Sequence, residues 1–257
     1  MARQNFKPGT LHAPLPAVMA TVGDMENANI ITVAWTGILS SDPPRTYISV
    51  RPSRHSHALL LQNKEFVINL TTRTLAYATD YSGIYTGAKV DKFKKLGLTK
   101  VESAVVKAPT IKESPLALEC RVFDVLHFGT HDVFMADIVN VSADESIMDE
   151  KGKICFEKAE LISYAHGHYF ALGEILGKFG FSAAKKKNET EKEKKAENNE
   201  NPKKENTIIK NNPQSIIKNE NKKSPMRSFG EMQNLKRKNS PKTKSNNKKS
   251  KSRSSNR

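Results

Sequence analysis

Cysteine is nearly absent from the 257 residues: only Cys120 and Cys155 occur, and neither belongs to a Cys-x-x-Cys pair. A disulfide framework and a structural zinc site are therefore unsupported, and the expectation is two buried free thiols in a reducing compartment. Long apolar runs are missing too. No window approaches the roughly 18 consecutive apolar residues of a membrane span, and the opening MARQNFKPGTLHAPLP has no apolar core of the kind a signal peptide needs. A cytoplasmic protein with no membrane partner is expected. Nucleotide loops of the Gly-x-Gly-x-x-Gly and Walker A kinds do not occur, so a phosphate-bearing ligand would have to be held by something else. Hydrolytic signatures are equally scarce: there is no Gly-x-Ser-x-Gly, no His-Glu-x-x-His and no carboxylate pair in a recognisable setting. His166, His168 and His131-Asp132 lack a third partner that would turn them into a metal site.

Charge is present in excess, but in one place. Of the 42 basic and 27 acidic residues, 23 and 8 lie from Ala184 onward, which leaves 19 of each before it. The formal charge of +15 thus belongs to the tail, and residues 1–183 are neutral overall. The tail is built from Lys, Asn, Glu and Ser with Phe229 as its only aromatic residue. Such a composition buries too little apolar surface to offset chain entropy, so 184–257 is expected to be a disordered tail and 1–183 a single folded domain. The polycation is either a solubilising tail or a nonspecific tether to nucleic acid or an acidic surface.

Within 1–183, β-branched runs bounded by Gly, Pro, Asn and Asp predict strands at Pro16–Val22, Ile30–Trp35, Thr46–Val50, Glu65–Leu70, Leu116–Phe128 and His131–Asp144. Thr36–Ser41 reads as a small-residue loop, Ser56–Lys64 as a short helix, and Leu75–Thr79 as a helical turn ending in a polar loop Asp80–Gly83. Ala88–Leu96 reads as a helix stopped by Gly97, and Leu161–Leu172 as an extended aromatic segment, with Gly177–Phe181 closing the domain. Many short strands with brief helices favour a mainly β barrel over a doubly wound sheet.

Residue chemistry points most clearly to Arg51-Pro52-Ser53-Arg54-His55-Ser56. There hydroxyls, guanidinium groups and unpaired backbone N–H groups converge where a helix begins, which suits a phosphate. Trp35-Thr36-Gly37-Ile38 offers an aromatic group beside a closely approachable backbone, which suits a flat ring. Ordinary capping and surface charge would use the same residue types.

The run NIITVAWTGILSSDPPRTYISVRPSRHSH resembles the flavin reductase-like family with the FMN-binding split barrel. So do EFVINL, TDYSG, VDKFKKLGLT, GTHDVF, YAHGHYF and GKFGFS in the same order, and the likeness is strongest to the flavoredoxin branch. It spans residues 10–182. The resemblance implies a six-stranded antiparallel Greek-key split barrel with short peripheral helices, a homodimer, and FMN bound non-covalently. It also implies roles by position. Asn29 and Trp35, Thr36, Gly37 and Ile38 would contact the flavin ring; Val50, Arg51, Pro52, Ser53, Arg54, His55 and Ser56 would wrap the ribityl chain and phosphate. Lys92 and His131 would hydrogen-bond the cofactor and Tyr164 would pack near the ring, with Asp80, Ser82 and Lys89 as lesser candidates. A protonated His131 or a lysine near the ring would raise its potential. Without the resemblance, Trp35 reads as core, His131 as a hairpin residue and Lys92 as a solvated charge. The implied activity is electron transfer from NAD(P)H or a protein donor to free flavin, metal or a protein acceptor, with a carrier lacking small-molecule turnover as the alternative. The tail has no counterpart in the family's pattern.

Overall fold

Six of the strands contribute side chains to one apolar cluster, and that shared cluster fixes the architecture. A computed structural model describes residues 1–183, so the readings of the basic tail lie outside the described residues. In chain order the elements are β1 (Leu15–Pro16), β2 (Val18–Val22), β3 (Asn29–Val33), β4 (Thr36–Ser41), β5 (Pro44–Val50), α1 (His55–Asn63), β6 (Glu65–Leu70), α2 (Ala76–Ile84) and α3 (Lys92–Leu96). Then follow β7 (Lys100–Val101), β8 (Thr110–Ile111), β9 (Leu116–His127), β10 (Asp132–Ala143), β11 (Ile162–Ala165) and β12 (His168–Ala171).

The main sheet runs β3-β2-β6-β9-β10-β5-β4, with every neighbouring pair antiparallel. Alternate residues of β2, β3, β5, β6, β9 and β10 meet in its interior: Val18 and Ala20, Ile31 and Val33, Ile48 and Val50, Phe66 and Ile68, Cys120 and Val122, Phe134 and Ala136. Phe66 and Phe134 are fully buried, each worth about 1.5–3 kcal/mol in transfer from water. β3 and β5 approach across this core without pairing. The result is a barrel of six strands split along one seam, with β4 as a seventh strand added at the edge.

Four local readings change. Thr36–Ser41 is a strand, because the Thr46 hydroxyl donates to Gly37 O at 2.8 Å and a bulge between Ile38 and Ser40 lets the small-residue run pair with β5. Asp80–Gly83 stays helical within α2, since Tyr77, Tyr81 and Tyr85 recur every four residues and Tyr81 stacks on Tyr85 at 4.1 Å. Gly83 lets α2 lie close on β3, as a Cβ there would sit 3.3 Å from Thr32 Cβ. The helix expected from Ala88 starts only at Lys92, where Asp91 caps it by accepting from Lys94 N; Gly97 ends it with φ +66° as expected. Leu161–Leu172 is a hairpin turned at His166 and Gly167 (φ +43° and +90°), so His166 lies in the turn and does not share a strand face with His168. In addition, Gly177–Phe181 does not close the domain, since Phe179 and Phe181 are exposed.

One buried carboxylate holds the loop before β8 onto the sheet. Glu119, 1% exposed, accepts from Ala104 N, Val105 N, Val106 N and Asn140 Nδ2 at 2.7–3.2 Å. Burial works against its charge, yet these donors together hold its carboxyl below the ordinary value. Glu119→Ala, which leaves several buried donors unpaired, should cost about 2–4 kcal/mol in urea denaturation. The folded value lies below the unfolded one, so Glu119's share of stability is full above the ordinary carboxylate range and is lost as pH falls through the folded value. The gap between wild type and Glu119→Ala should therefore close on acidification.

Candidate functional site

The start of α1 is tied to the start of β3 by one hydrogen bond. Asn29, the first residue of β3, donates from Nδ2 to Ser56 Oγ at 2.7 Å, and both side chains are buried. No side chain caps α1 at Arg54, and His57 N in the first turn donates to Arg54 O at 2.9 Å. From α3, Lys92 reaches toward Asn29 and Ser56 with its side chain only 4% exposed; Nζ donates to Ile30 O at 2.6 Å and to Ser82 O at 2.8 Å. An ammonium has three N–H donors, so one remains. Ser82 Oγ is, among the described residues, the one buried side-chain polar atom with no partner.

These groups line a cavity of about 380 Å³ with Arg51, Ser53, Arg54 and Thr86, and no carboxylate takes part in its wall. Burial, reinforced by the Arg54 guanidinium, pushes the Lys92 ammonium down to about 8. An ammonium buried without a carboxylate partner is costly to keep charged, and an anion in the cavity relieves that cost. The site has the donor set of a phosphate cradle.

A second cluster lies where β10 begins. The imidazole of His131 faces Trp35 with ring centroids 4.5 Å apart. Partial burial and the Arg51 charge hold His131 below its ordinary value, so the ring is neutral at pH 7. Beneath it, the buried Asp132 carboxylate binds His57 Nε2 at 2.6 Å and His127 Nδ1 at 2.8 Å. Those two bonds hold the Asp132 carboxyl low and lock α1 to the β9–β10 hairpin.

Arg51, Ser53, Arg54, His55, Ser56 and Lys92 are thus brought together as expected, and Ser82 joins them. Lys92 is no solvated charge. Trp35 is exposed beside His131 rather than core, with Thr36, Gly37 and Ile38 following it on β4. Val50 points its side chain into the barrel core, which leaves only its backbone for a ligand; Pro52 is exposed in the turn after it. Asn29 lines the cavity with Ser56, to which it is bonded. Tyr164 belongs to a separate three-stranded sheet, β1-β11-β12, where it packs on Tyr169, whose hydroxyl donates to Asp80; neither tyrosine lines the cavity. Ile31, Tyr85, Thr86 and Gly87 line the cavity without having been foreseen, since reading Asp80–Gly83 as a loop misplaced the α2 terminus that carries three of them. The His57–Asp132–His127 link left no sequence pattern. Among the described residues no group of three or more His, Cys, Asp or Glu is placed to hold a metal ion, and no helix is long and apolar enough to cross a membrane.

Comparison with known proteins places this geometry in context. The family described as "Flavin reductase like domain" matches residues 11–173. The structure is similar to flavoredoxin of Desulfovibrio vulgaris (Miyazaki F), with TM-score 0.66 and 32% identity over 71% of this chain and 99% of that one. It is also similar to the FMN-binding protein from Thermus thermophilus, with TM-score 0.59 and 26% identity over 69% and 98% of the two chains. Among sequences, the reductase component of the FADH(2)-dependent resorcinol hydroxylase of Rhizobium sp. is 24% identical over 159 residues, 59% of this chain and 86% of its own.

Lys92 makes ligand binding at this cavity pH-dependent with a definite sign. A phosphate dianion binds the protonated ammonium, whose free value is about 8. Affinity for a phosphomonoester should hold from pH 7 to 8 and fall above that by up to about tenfold per pH unit. Calorimetric titration across pH 7–10 reads this, and Lys92→Met should bind weakly and with a flat profile.

Proposed function

The chain belongs to the flavin reductase-like family, and from that premise we propose that it is a flavin-dependent oxidoreductase holding FMN with its phosphate among Arg51, Ser53, Arg54, Ser56 and Lys92. The observation that carries this reading is the unpartnered, buried Ser82 Oγ beside a buried ammonium in a cavity free of carboxylate. Those residues fit the group: an orphaned hydroxyl, a spare ammonium donor and two guanidinium groups are the complement of a phosphate ester. When bound, the flavin supplies the hydride and electron chemistry, which explains why no catalytic acid–base pair is needed. The chain's own residues bind and orient. Ser56, fixed by Asn29, and Lys92, fixed by two carbonyls, set the phosphate, and Trp35 with neutral His131 forms a wall for the ring.

The donor is NAD(P)H or a reduced protein, and the acceptor is free flavin, a metal ion or a protein. A flavoredoxin-type carrier without small-molecule turnover is the second reading, supported by the 32% identity to a flavoredoxin along nearly its whole length. Steady-state NAD(P)H oxidation with added flavin decides between them: turnover above that of free flavin supports the reductase, and its absence leaves the carrier. A homodimer is proposed with either, supported by the exposed apolar Ile38 and Leu39 on edge strand β4 and by the exposed Leu176 and Phe179 that follow β12. A cytoplasmic location is proposed on the same footing. Basic residues of the 184–257 tail are proposed to add weak attraction to nucleic acid or an acidic surface.

Two outcomes check these assignments. Arg54→Ala with Ser56→Ala should weaken FMN retention by about 2–4 kcal/mol while circular dichroism stays native, and unchanged flavin content after dialysis would remove the phosphate assignment. Duplex DNA or RNA binding should appear with the full chain, fall steeply with salt and vanish when the tail is removed; salt-insensitive binding would place it elsewhere.

A further inference from the structure

Lys92 is held in a way that suits a second kind of chemistry. Its Nζ spends two N–H groups on backbone carbonyls, Ile30 O at 2.6 Å and Ser82 O at 2.8 Å. A neutral amine also has two N–H groups, so it can keep both bonds and carry its lone pair where the ammonium carries its third N–H. The charged or titratable groups that share the cavity wall are Arg51 and Arg54 before α1, His55 at its start and Tyr85 just after α2; β3 contributes none. The nearest carboxylates along the chain are engaged elsewhere, Asp91 with Lys94 N and Asp80 with the Tyr169 hydroxyl. Nothing in the wall therefore holds the proton on Nζ, and burial with the Arg54 charge brings Lys92 down to about 8 from 10.5. At pH 8 about half of Lys92 is free amine, against roughly 0.3% of a solvated lysine. A desolvated lysine amine is a nucleophile toward carbonyl carbon.

The rest of the cavity selects the carbonyl compound. Two guanidinium groups and the Ser53 and Ser56 hydroxyls suit a phosphate ester on it. Tyr85, stacked on Tyr81 at 4.1 Å, and Ile31 give the same wall an aromatic and an apolar surface. Ser82 Oγ, buried and without a partner, has its O–H to spare for an aldehyde oxygen. A space of about 380 Å³ accommodates one ring and one phosphate.

We propose that Lys92 is a covalent capture site for small aromatic aldehydes that carry a phosphate ester. The amine lone pair attacks the aldehyde carbon, and the C–N bond forms as the carbonyl π pair moves to oxygen. Both amine protons pass to that oxygen, the C–O bond breaks, and water leaves. The product is an imine; once protonated it keeps one N–H for Ile30 O or Ser82 O. No oxidant or reductant takes part. The proposal goes beyond the flavin reading and does not depend on it, since it needs only the amine and the phosphate donors.

The test treats the full chain, dialysed free of small ligands, with pyridoxal 5′-phosphate, and with 5′-deoxypyridoxal as the phosphate-free control. Borohydride then adds hydride to the imine and fixes it as a secondary amine, which peptide mass spectrometry locates. At equimolar probe and pH 8, Lys92 should be labelled about tenfold more than any other lysine, and about tenfold less by the control. Its labelling rate should rise from pH 7 and level off by pH 9. Arg54→Ala, which keeps the amine, should bring the two probes within about twofold of each other; Lys92→Met, checked by circular dichroism, should lose the site. Label spread evenly over the lysines, equal labelling of Lys92 by both probes in the wild type, or a rate still climbing at pH 10 would each overturn the proposal and leave the flavin reading standing.

Discussion

The ammonium of Lys92 is the constraint on which the site depends. Its Nζ is out of water and held by backbone carbonyls of β3 and α2, while its own backbone begins α3. One side chain therefore pins three elements around a cavity. A buried cation satisfied by carbonyl dipoles alone is a weak way to stabilise a fold, and replacing it with an apolar side chain of like volume would be no loss to packing. What it provides is a positive charge at a fixed position, beside Arg54, with no carboxylate to neutralise it. The depressed value of the ammonium is the measure of that arrangement: the folded domain holds the charge against its own preference, and an anion is what restores the balance.

The second fixed point is Asp132. Its carboxylate joins His57 on α1 to His127 on β9, while the neighbouring His131 turns to Trp35. The register explains how one residue can do this: Asp132 lies opposite Val50 on one side and His127 on the other, at the end of β10 where β5 hands the chain to the Arg51–Arg54 turn. The Trp35–His131 pair and the start of α1 are thus tied to the same hairpin. Movement of α1 would break a buried charge-assisted bond, so the distance between Trp35 and Ser56 is held by the hairpin as well as by the strands between them.

Much of this was legible in the sequence, for physical reasons that also mark its limits. Strands β6, β9 and β10 announce themselves because a half-buried sheet alternates, and β-branched residues recur with period two. The cavity residues Arg51, Ser53, Arg54, His55 and Ser56 are legible because they lie in one short run. Lys92 is different. Its local pattern is that of an exposed lysine on a short helix, and only the family likeness separated it from one; its burial comes from β3 and α2, about 60 and 10 residues away in the chain. Strand β4 was hidden because Thr, Gly and Ser are loop formers by composition, and its pairing rests on hydroxyl-to-carbonyl bonds and a bulge that propensity does not register. The His57–Asp132 bond spans 75 residues and carries no local signal at all.

The structure also reassigns the positive charge near the ring. Sequence reasoning offered a protonated His131, or a lysine, as the group that would raise a flavin's potential. In the fold His131 lies close enough to the Arg51 guanidinium, and far enough from water, for its proton to be disfavoured. A guanidinium stays charged at any pH the protein meets, whereas an imidazole does not. The Arg51 guanidinium is the positive charge that acts on His131. In the cavity, burial and the Arg54 charge bring Lys92 down to about 8, so retention of an anionic ligand there responds to pH near that value.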